Sequence, residues 1–396
     1  MSAALDYRVT PNDDWLFDLA TPCYVFDPQA VLASYATLRE RLGTKLIVSL
    51  KANSQADLFV RCGHAFTDGV ELASLGELDV VVGRGKIPKY LNNPSMNEAF
   101  IRAGLASRCH FILDNPDLAQ RFAKLAAGKV TGDVLLRMNA GALASTEARK
   151  EWHDHFGMTP HEAFHVAEML AAAGIRVTGL HVFSGSHTFR AGRRVDDGPD
   201  SADLALALAR FAEELARVTG TPPTFLNLGG GFSEKGHERP VFDRYRERIV
   251  PVVDRYEIAH ESGRGIFGNA GIFVTRVVAV KHWWDRTIVV CDGGMSHNFL
   301  LAKTESMLKT WQAPRIVRRE LPQSVRGNAT RIRHTPLSFV GSTCSRADVI
   351  GRITEPALAP DPGDLLLFEG CGAYNRTYTV GGFLSQQPAH VYIRQA

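Results

Sequence analysis

The feature that most constrains this chain is a rhythm. From about residue 27 to 275, short β-branched or aromatic runs alternate with longer amphipathic segments, the pattern of repeated βα units around a parallel sheet. The runs are LIVSL (46–50), GVELA (69–73), KYLNN (89–93), HFILD (110–114), VLLRMN (134–139), TGLHVF (178–183), FLNLG (225–229) and EIAHE (257–261). Eight such strands close a (β/α)8 TIM barrel in about 250 residues. Helices are expected between them, among them 160–173, opened by Thr159, and 203–218, capped by Asp200 or Ser201. After Gly271 the rhythm changes to strand after strand: FVTRVVAV, RTIVVCD, LSFVGST, DLLLFEG and HVYIRQ. That change predicts a C-terminal all-β domain, with the barrel over 27–275 and the β-domain built from 1–26 and 276–396.

The 396 residues suffice for two domains with sizeable cores, and 45% hydrophobic with 22% charged residues excludes disordered, collagen-like and coiled-coil classes. Lys+Arg 45 against Asp+Glu 42 gives a net charge of +3, too balanced to imply a nucleic-acid or membrane partner, so a small molecule is expected. No run approaches the roughly 18 apolar residues of a membrane span, and MSAALDYRVTPNDDWLF lacks a signal peptide's basic region, so a cytoplasmic location is expected. Cys23, Cys62, Cys109, Cys291, Cys344 and Cys371 are scattered without a CxxC pair, which suggests neither a disulfide framework nor a zinc site, and no metal is expected. The arginine-dense segment 312–336 reads as a solvated loop or edge hairpin, or as a surface for an anionic substrate or carrier.

A βα barrel builds its active site at the C-terminal ends of its strands, and several chemically capable residues fall there. SLKAN places Lys51 after an apolar run expected to desolvate its amine and lower its pKa, as suits a Schiff-base lysine; a lysine snorkelling from a strand end is the plainer reading. In LNLGGGF, the glycines Gly229, Gly230 and Gly231 can bring backbone N–H groups onto a phosphate, or simply make a tight turn. HVFSGSH adds Ser186 as a phosphate donor, and HESGRG supplies the carboxylate of Glu261 and the guanidinium of Arg264. An amine, a phosphate cradle and a carboxylate around one mouth suit pyridoxal 5′-phosphate, which needs a lysine for its aldehyde and an acid for its ring nitrogen. The single GRG at 83–85 completes no dinucleotide fingerprint.

Taken in order from TPCYVFD near residue 21 to GGFLSQ near 386, these motifs resemble the fold type III (alanine-racemase-fold) pyridoxal-phosphate decarboxylases of the ornithine/diaminopimelate decarboxylase family. The resemblance implies a carboxy-lyase in which Lys51 of SLKAN holds the cofactor and Glu71 of VELASLGE is an acid near it. It makes Phe183 of HVFSGS the aromatic that stacks on the pyridine ring, at a position the family commonly gives to histidine. The change keeps a π-face and loses a titratable group. LGGGF matches the phosphate glycines, and ESGRGIFGNAG resembles the family's Glu-Pro-Gly-Arg motif with Ser262 in place of proline. Glu261 is then the partner of the pyridinium nitrogen, with Gly263 and Arg264 near the phosphate. GSTCSRAD implies that Cys344 protonates the substrate carbon after carbon dioxide leaves, and GAY at 372–374 that Tyr374 contacts phosphate, both across the interface of a homodimer with shared active sites. Without the family, Cys344 reads as a core cysteine and Tyr374 as a core or interface aromatic.

The departures bear on substrate. Where the family carries an acid for a distal amine, this chain has Ser345 and Arg346, with Asp348 the nearest acid, which disfavours free ornithine or lysine. DGGMSHNFLLA (292–302) lies where diaminopimelate decarboxylases carry an arginine and a tyrosine; Leu300 and Thr304 stand near those places, which disfavours diaminopimelate too. The stretch looks more like the subgroup serving siderophore and other secondary pathways, where the amino acid belongs to a carboxylated or carrier-linked conjugate. Arg346, His297 and the 312–336 segment suit such an anion. The same fold also serves amino-acid racemases or epimerases and non-catalytic pyridoxal-phosphate proteins. A cysteine in place of a second base argues against the first, and the residues after the barrel argue against the second.

Overall fold

The computed structural model describes residues 13–129, 131–143, 154–186, 188–189, 200–234, 238–302, 312–318 and 334–395. It divides into two compact units, Gln29–Gly268 and Met1–Pro28 with Asn269–Ala396. The first unit ends short of the expected residue 275 because the chain from Gly271 onward already pairs with the N-terminal strand β1 (Cys23–Phe26).

After β1 come helix α1 (Pro28–Leu42) and then the barrel strands β2 (Lys45–Ser49), β3 (Val70–Leu72), β4 (Lys89–Asn92), β5 (His110–Leu113), β6 (Val134–Met138), β7 (Gly179–Val182), β8 (Phe225–Asn227) and β9 (Glu257–Ser262). Each expected run supplies one strand, all neighbours are parallel, and β9 closes onto β2. Between them run α2 (Ala56–Cys62), α3 (Leu75–Val81), α4 (Glu98–Ala106), α5 (Pro116–Ala126), α6 (Ala140–Leu143), α7 (Pro160–Ala172), α8 (Ser201–Thr219) and α9 (Arg239–Val253); α10 (Arg264–Phe267) follows β9. Side-chain caps start several of these helices. Ser74, Asn97 and Asn115 each accept the backbone N–H three residues on, Thr159 and Glu162 form a reciprocal capping box, and Asp200 caps α8. Gly220, left-handed at φ 68°, stops α8.

The barrel interior is layered. Ile47, Tyr90, Ile112, Leu135, Phe225 and Ala259 pack together from six strands. Burying each of the larger ones is worth about 1.5–3 kcal/mol. Strand side chains alternate faces, so the residue two positions further along each strand faces the same interior, one step nearer the C-terminal mouth.

On β9 the alternate residue, His260, points out of the interior and is fully buried under the helices. Its ring nitrogens meet Thr44 Oγ1 and Tyr245 OH at 2.8 Å each, and burial pushes its pKa down to about 3.

The second unit is a mixed sheet in the order β12-β15-β10-β11-β13-β14, with β1 paired to β10 and β16 paired to β1; its strands are β10 (Gly271–His282), β11 (Thr287–Cys291), β12 (Arg315–Val317), β13 (His334–Val340), β14 (Val349–Leu358), β15 (Leu365–Phe368) and β16 (His390–Ile393). Leu16, Cys23, Val25, Val274, Val317, Leu365 and Leu367 form a core cluster there. Three of its strands, β1, β12 and β14, escape the sequence reading. β12 is a three-residue edge strand inside the arginine-dense segment, most of which lies outside the described residues. β14 carries Pro356, tolerated because its pairing with β13 is irregular between Thr335 and Leu337. Among the described residues no helix is long and apolar enough to cross a membrane.

A histidine kept neutral in the fold binds its proton more readily once unfolded, so its contribution is full above pH 6.5 and is lost as pH falls from there towards 3. Denaturant unfolding measured across pH 4–6 should therefore show a stability slope that His260→Gln lessens by about 1.4 kcal/mol per pH unit. An unchanged slope would show that His260 is already charged in the fold.

Candidate active site

The apolar layer sets up a polar one. Two residues beyond it stand Ser49 on β2, Asn92 on β4, Asp114 after β5, Arg137 on β6, Asn227 on β8 and Glu261 on β9, all buried. Glu71 on β3 lies in register with Ser49 and Tyr90, and His181 on β7 with Arg137 and Asn227, so they complete the ring. Eight strands thus end in eight polar interior side chains, an arrangement affordable only where they satisfy one another or a ligand.

They do so in groups. Glu71, with no exposed surface, accepts Lys51 Nζ at 2.9 Å and 3.0 Å through its two oxygens. Arg137 donates to Asp114 at 3.1 Å and stacks on Phe156 with 4.3 Å to the ring centroid, and the Gly157 N–H also donates to Asp114. Asn227 works in two directions: its amide nitrogen donates to Glu261 Oε1 at 2.8 Å, and its oxygen accepts the Gly229 N–H at 3.0 Å. Burial alone would push the Glu261 carboxyl up, but His181, Lys51 and the Asn227 amide outweigh that and hold it well below the usual carboxylate range.

Lys51 corrects one expectation. The strand stops at Ser49, and the short 3-10 turn Leu50–Ala52 lifts Lys51 out of the apolar run, leaving its side chain 43% exposed. Its amine is held by a carboxylate rather than desolvated by the strand.

The glycines of LGGGF are fixed by close approach. Gly229 (φ 65°) and Gly231 (φ 117°) adopt left-handed backbone, and a Cβ on them would collide with the Val182 carbonyl oxygen and with Thr188 Oγ1. The half-buried Phe183 ring lies beside Gly229 and Gly230. The loops after β7 and β8 are stitched together by the Thr188 N–H donating to Gly231 O at 3.0 Å, and by the rings of Phe189 and Phe232 stacked at 4.3 Å. Phe189 in turn packs edge-on against Tyr245, beneath which His260 is locked. Ser184, Thr188 and Ser201 form a cluster of hydroxyls, while Ser186 is exposed. Gly263 caps α10, which begins with the half-buried Arg264.

Sequence reasoning missed four residues. His181, Asn227 and Arg137 were legible only as polar residues at strand ends in step with interior apolar ones. Glu77 looks like a helix-capping glutamate, since Ser74 accepts its N–H, and it also accepts the Ala73 N–H at 2.7 Å. Burial first, and then the charge of Glu71, push its carboxyl up to about 6, against the pull of Ala73 N–H and Lys51.

The remaining expected site residues lie in the second unit. Cys344 and Arg346 are exposed on the loop after β13, and Tyr374 is half-buried with a left-handed φ of 67°, uncommon for a side chain of that size. Asp348 and His297 are placed differently from expectation. Asp348 is 2% exposed, and its two oxygens accept the N–H groups of Met295 at 2.7 Å and Thr343 at 3.0 Å, so it cross-links two loops and offers no face to a substrate amine. His297 is buried, with Nδ1 accepting the Gly294 N–H at 3.3 Å and Nε2 at 3.2 Å from Gln387 O, which leaves no ring nitrogen for an anion. Ser345 Oγ accepts the Ala347 N–H within the same turn. Leu300 lies among the described residues and Thr304 outside them. A cavity of about 500 Å³ between the end of α1 and α9, at the opposite end of the barrel, contains none of these residues.

A family model described as pyridoxal-dependent decarboxylase, C-terminal sheet domain, matches residues 23–372. The L-glutamyl-(BtrI acyl-carrier protein) decarboxylase of Niallia circulans is 26% identical over 393 residues, covering 92% of this chain and 86% of its own. The diaminopimelate decarboxylase of Synechocystis sp. is 26% identical over 352 residues, 84% of this chain and 70% of its own. In fold, the arginine decarboxylase of Paramecium bursaria Chlorella virus superposes with a TM-score of 0.78 at 18% identity, covering 96% of this chain and 99% of that one.

Replacing Gly231 by alanine forces a side chain into left-handed backbone against Thr188 and should destabilise the barrel by about 1–3 kcal/mol. Thermal unfolding measured with and without pyridoxal phosphate should show the larger loss in the loaded protein, since the strap between the two loops is what moves. An equal loss in both states would separate the strap from ligand binding.

Proposed function

From the chain's membership of the pyridoxal-dependent decarboxylase family, to which residues 23–372 assign it, we propose that it removes the α-carboxylate of an amino acid carried within a larger anionic or carrier-linked conjugate. It is a pyridoxal-phosphate-dependent lyase of the amino-acid decarboxylases. The observation that carries the conjugate reading is the loop bearing Cys344: its exposed cation is Arg346, and its one acid, Asp348, is occupied by backbone N–H groups. Such a loop repels a diamine and suits a carboxylate or phosphate. The relative from Niallia circulans, by its name, acts on a glutamyl group borne by a carrier protein, which supports the same reading.

The residues present fit the cofactor. Lys51 stands exposed at the strand end, the glycine loop is held by close approach to Val182 and Thr188 with no side chain of its own to cover its backbone, and Glu261 is a buried carboxylate held anionic. When bound, the cofactor supplies an electron sink for the pair left behind as carbon dioxide departs. Lys51 Nζ holds the cofactor aldehyde, and Glu71 orients that nitrogen. Glu261 would hold a proton on the ring nitrogen, and the face of Phe183, which lies beside Gly229 and Gly230, would pack against the ring. Gly229, Gly230 and Gly231, with Ser186, Gly263 and Arg264, receive the phosphate. Cys344 Sγ delivers a proton to the substrate carbon, and Tyr374 meets the phosphate, both in the site of a second copy of the chain, so that the working enzyme is a homodimer.

Mass spectrometry of products distinguishes the readings. Glutamyl thioesters on a carrier should lose carbon dioxide at least about tenfold faster than free ornithine, lysine or diaminopimelate. Faster release from these free diamino acids would contradict the conjugate reading, and products of unchanged mass would favour a racemase. Cys344→Ala should slow turnover about a hundredfold or more while leaving cofactor affinity intact.

A further inference from the structure

Among the described residues, the polar layer of the barrel holds three carboxylates and two permanent cations. Glu71 is matched by Lys51 and Asp114 by Arg137. Glu261 is the third, and its partners are the neutral amide of Asn227 and the imidazole of His181, whose Nε2 stands 3.5 Å from Glu261 Oε1. His181 is 1% exposed, and among the described residues neither ring nitrogen has a hydrogen-bond partner. At 3.5 Å the contact with Glu261 is too long for a good hydrogen bond, so its attraction is one of charge. A neutral imidazole left this way costs the desolvation of two polar atoms for nothing. An imidazolium beside an otherwise unbalanced carboxylate is compensated.

The groups facing His181 agree with this. Arg137 approaches from β6 but is bound to Asp114, and Asn227 comes from β8 and Glu261 from β9. Across the interior lie Tyr90 on β4 and the Lys51–Glu71 pair from β2 and β3. The charged residues of α8, packed outside β7, are solvent-exposed apart from Glu213, which pairs with Arg255.

We propose that His181 is the proton-carrying partner of Glu261: its imidazolium balances that carboxylate while the cofactor is absent, and it gives up the Nδ1 proton to solvent when the cofactor's protonated ring nitrogen takes its place. The charge of the layer is then the same before and after loading, with one proton leaving as one arrives on the ring. Nε2–H remains aimed at Glu261, so His181 in the loaded protein is a positioning residue that touches neither substrate nor reacting atoms. The inference rests on the reading of Glu261 as the ring-nitrogen partner.

Calorimetric titration of cofactor-stripped protein with pyridoxal phosphate, in two buffers of different ionisation heat at pH 7, counts the protons exchanged on binding. Wild type should release about one more proton than His181→Gln. Binding by both proteins with equal proton counts would overturn the proposal. No binding heat from the wild type would instead overturn the cofactor reading on which it rests. Neutron diffraction from wild-type crystals needs no variant: both ring nitrogens of His181 should carry deuterium in cofactor-free crystals and only Nε2 in loaded ones. A singly deuterated ring in the cofactor-free crystal would contradict the proposal.

Discussion

Everything at the mouth of this barrel follows from one constraint: charge placed in a desolvated layer must be balanced within it. The apolar layer of Ile47, Tyr90, Ile112, Leu135, Phe225 and Ala259 excludes water from below, and the eight strands then present polar side chains directly above it. Lys51 with Glu71 and Arg137 with Asp114 are balanced by geometry. Removing one partner of a pair buried on both sides, as Arg137 and Asp114 are, typically costs about 3–5 kcal/mol, because the other is left charged without compensation. Glu261 is the carboxylate that this arrangement leaves for something else, and the pyridinium nitrogen of a pyridoxal cofactor is a cation of the right kind.

The glycine loop is governed by backbone rather than by charge. Asn227 ties Gly229 to Glu261, so the loop and the acid cannot move independently. Thr188 and the Phe189–Phe232 stack tie that loop to the one after β7, and the ring of Phe183 sits at their junction. In the second unit the same economy appears in Asp348, whose single carboxylate sets the turn carrying Cys344 against the turn carrying Met295.

The fold was legible because periodicity survives without tertiary information. Eight β-rich runs at barrel spacing, each followed by an amphipathic stretch, leave few alternatives, and all eight became strands. What failed locally did so for local reasons: β14 contains Pro356, and β12 is three residues long. Motifs that depend on covalent order, SLKAN and LGGGF, also stood out. The partners of Glu261 did not, because His181 and Asn227 reach it only through register across strands distant in sequence. Glu77 was hidden by a second role at the start of α3, and Asp348 and His297 looked available until their hydrogen bonds were placed. A sequence shows that a side chain is charged. It does not show whether backbone N–H groups have already claimed it.

The central claim is that the layer of paired charges at the strand ends is a pyridoxal-phosphate site with Lys51 as its anchor. Visible absorbance of the purified protein, titrated with pyridoxal phosphate beside a Lys51→Ala variant, tests it most directly. The account requires a visible band from cofactor joined to lysine in the wild type and its absence in the variant. A wild type that stays colourless with excess cofactor, or a variant that shows the same band, would contradict it.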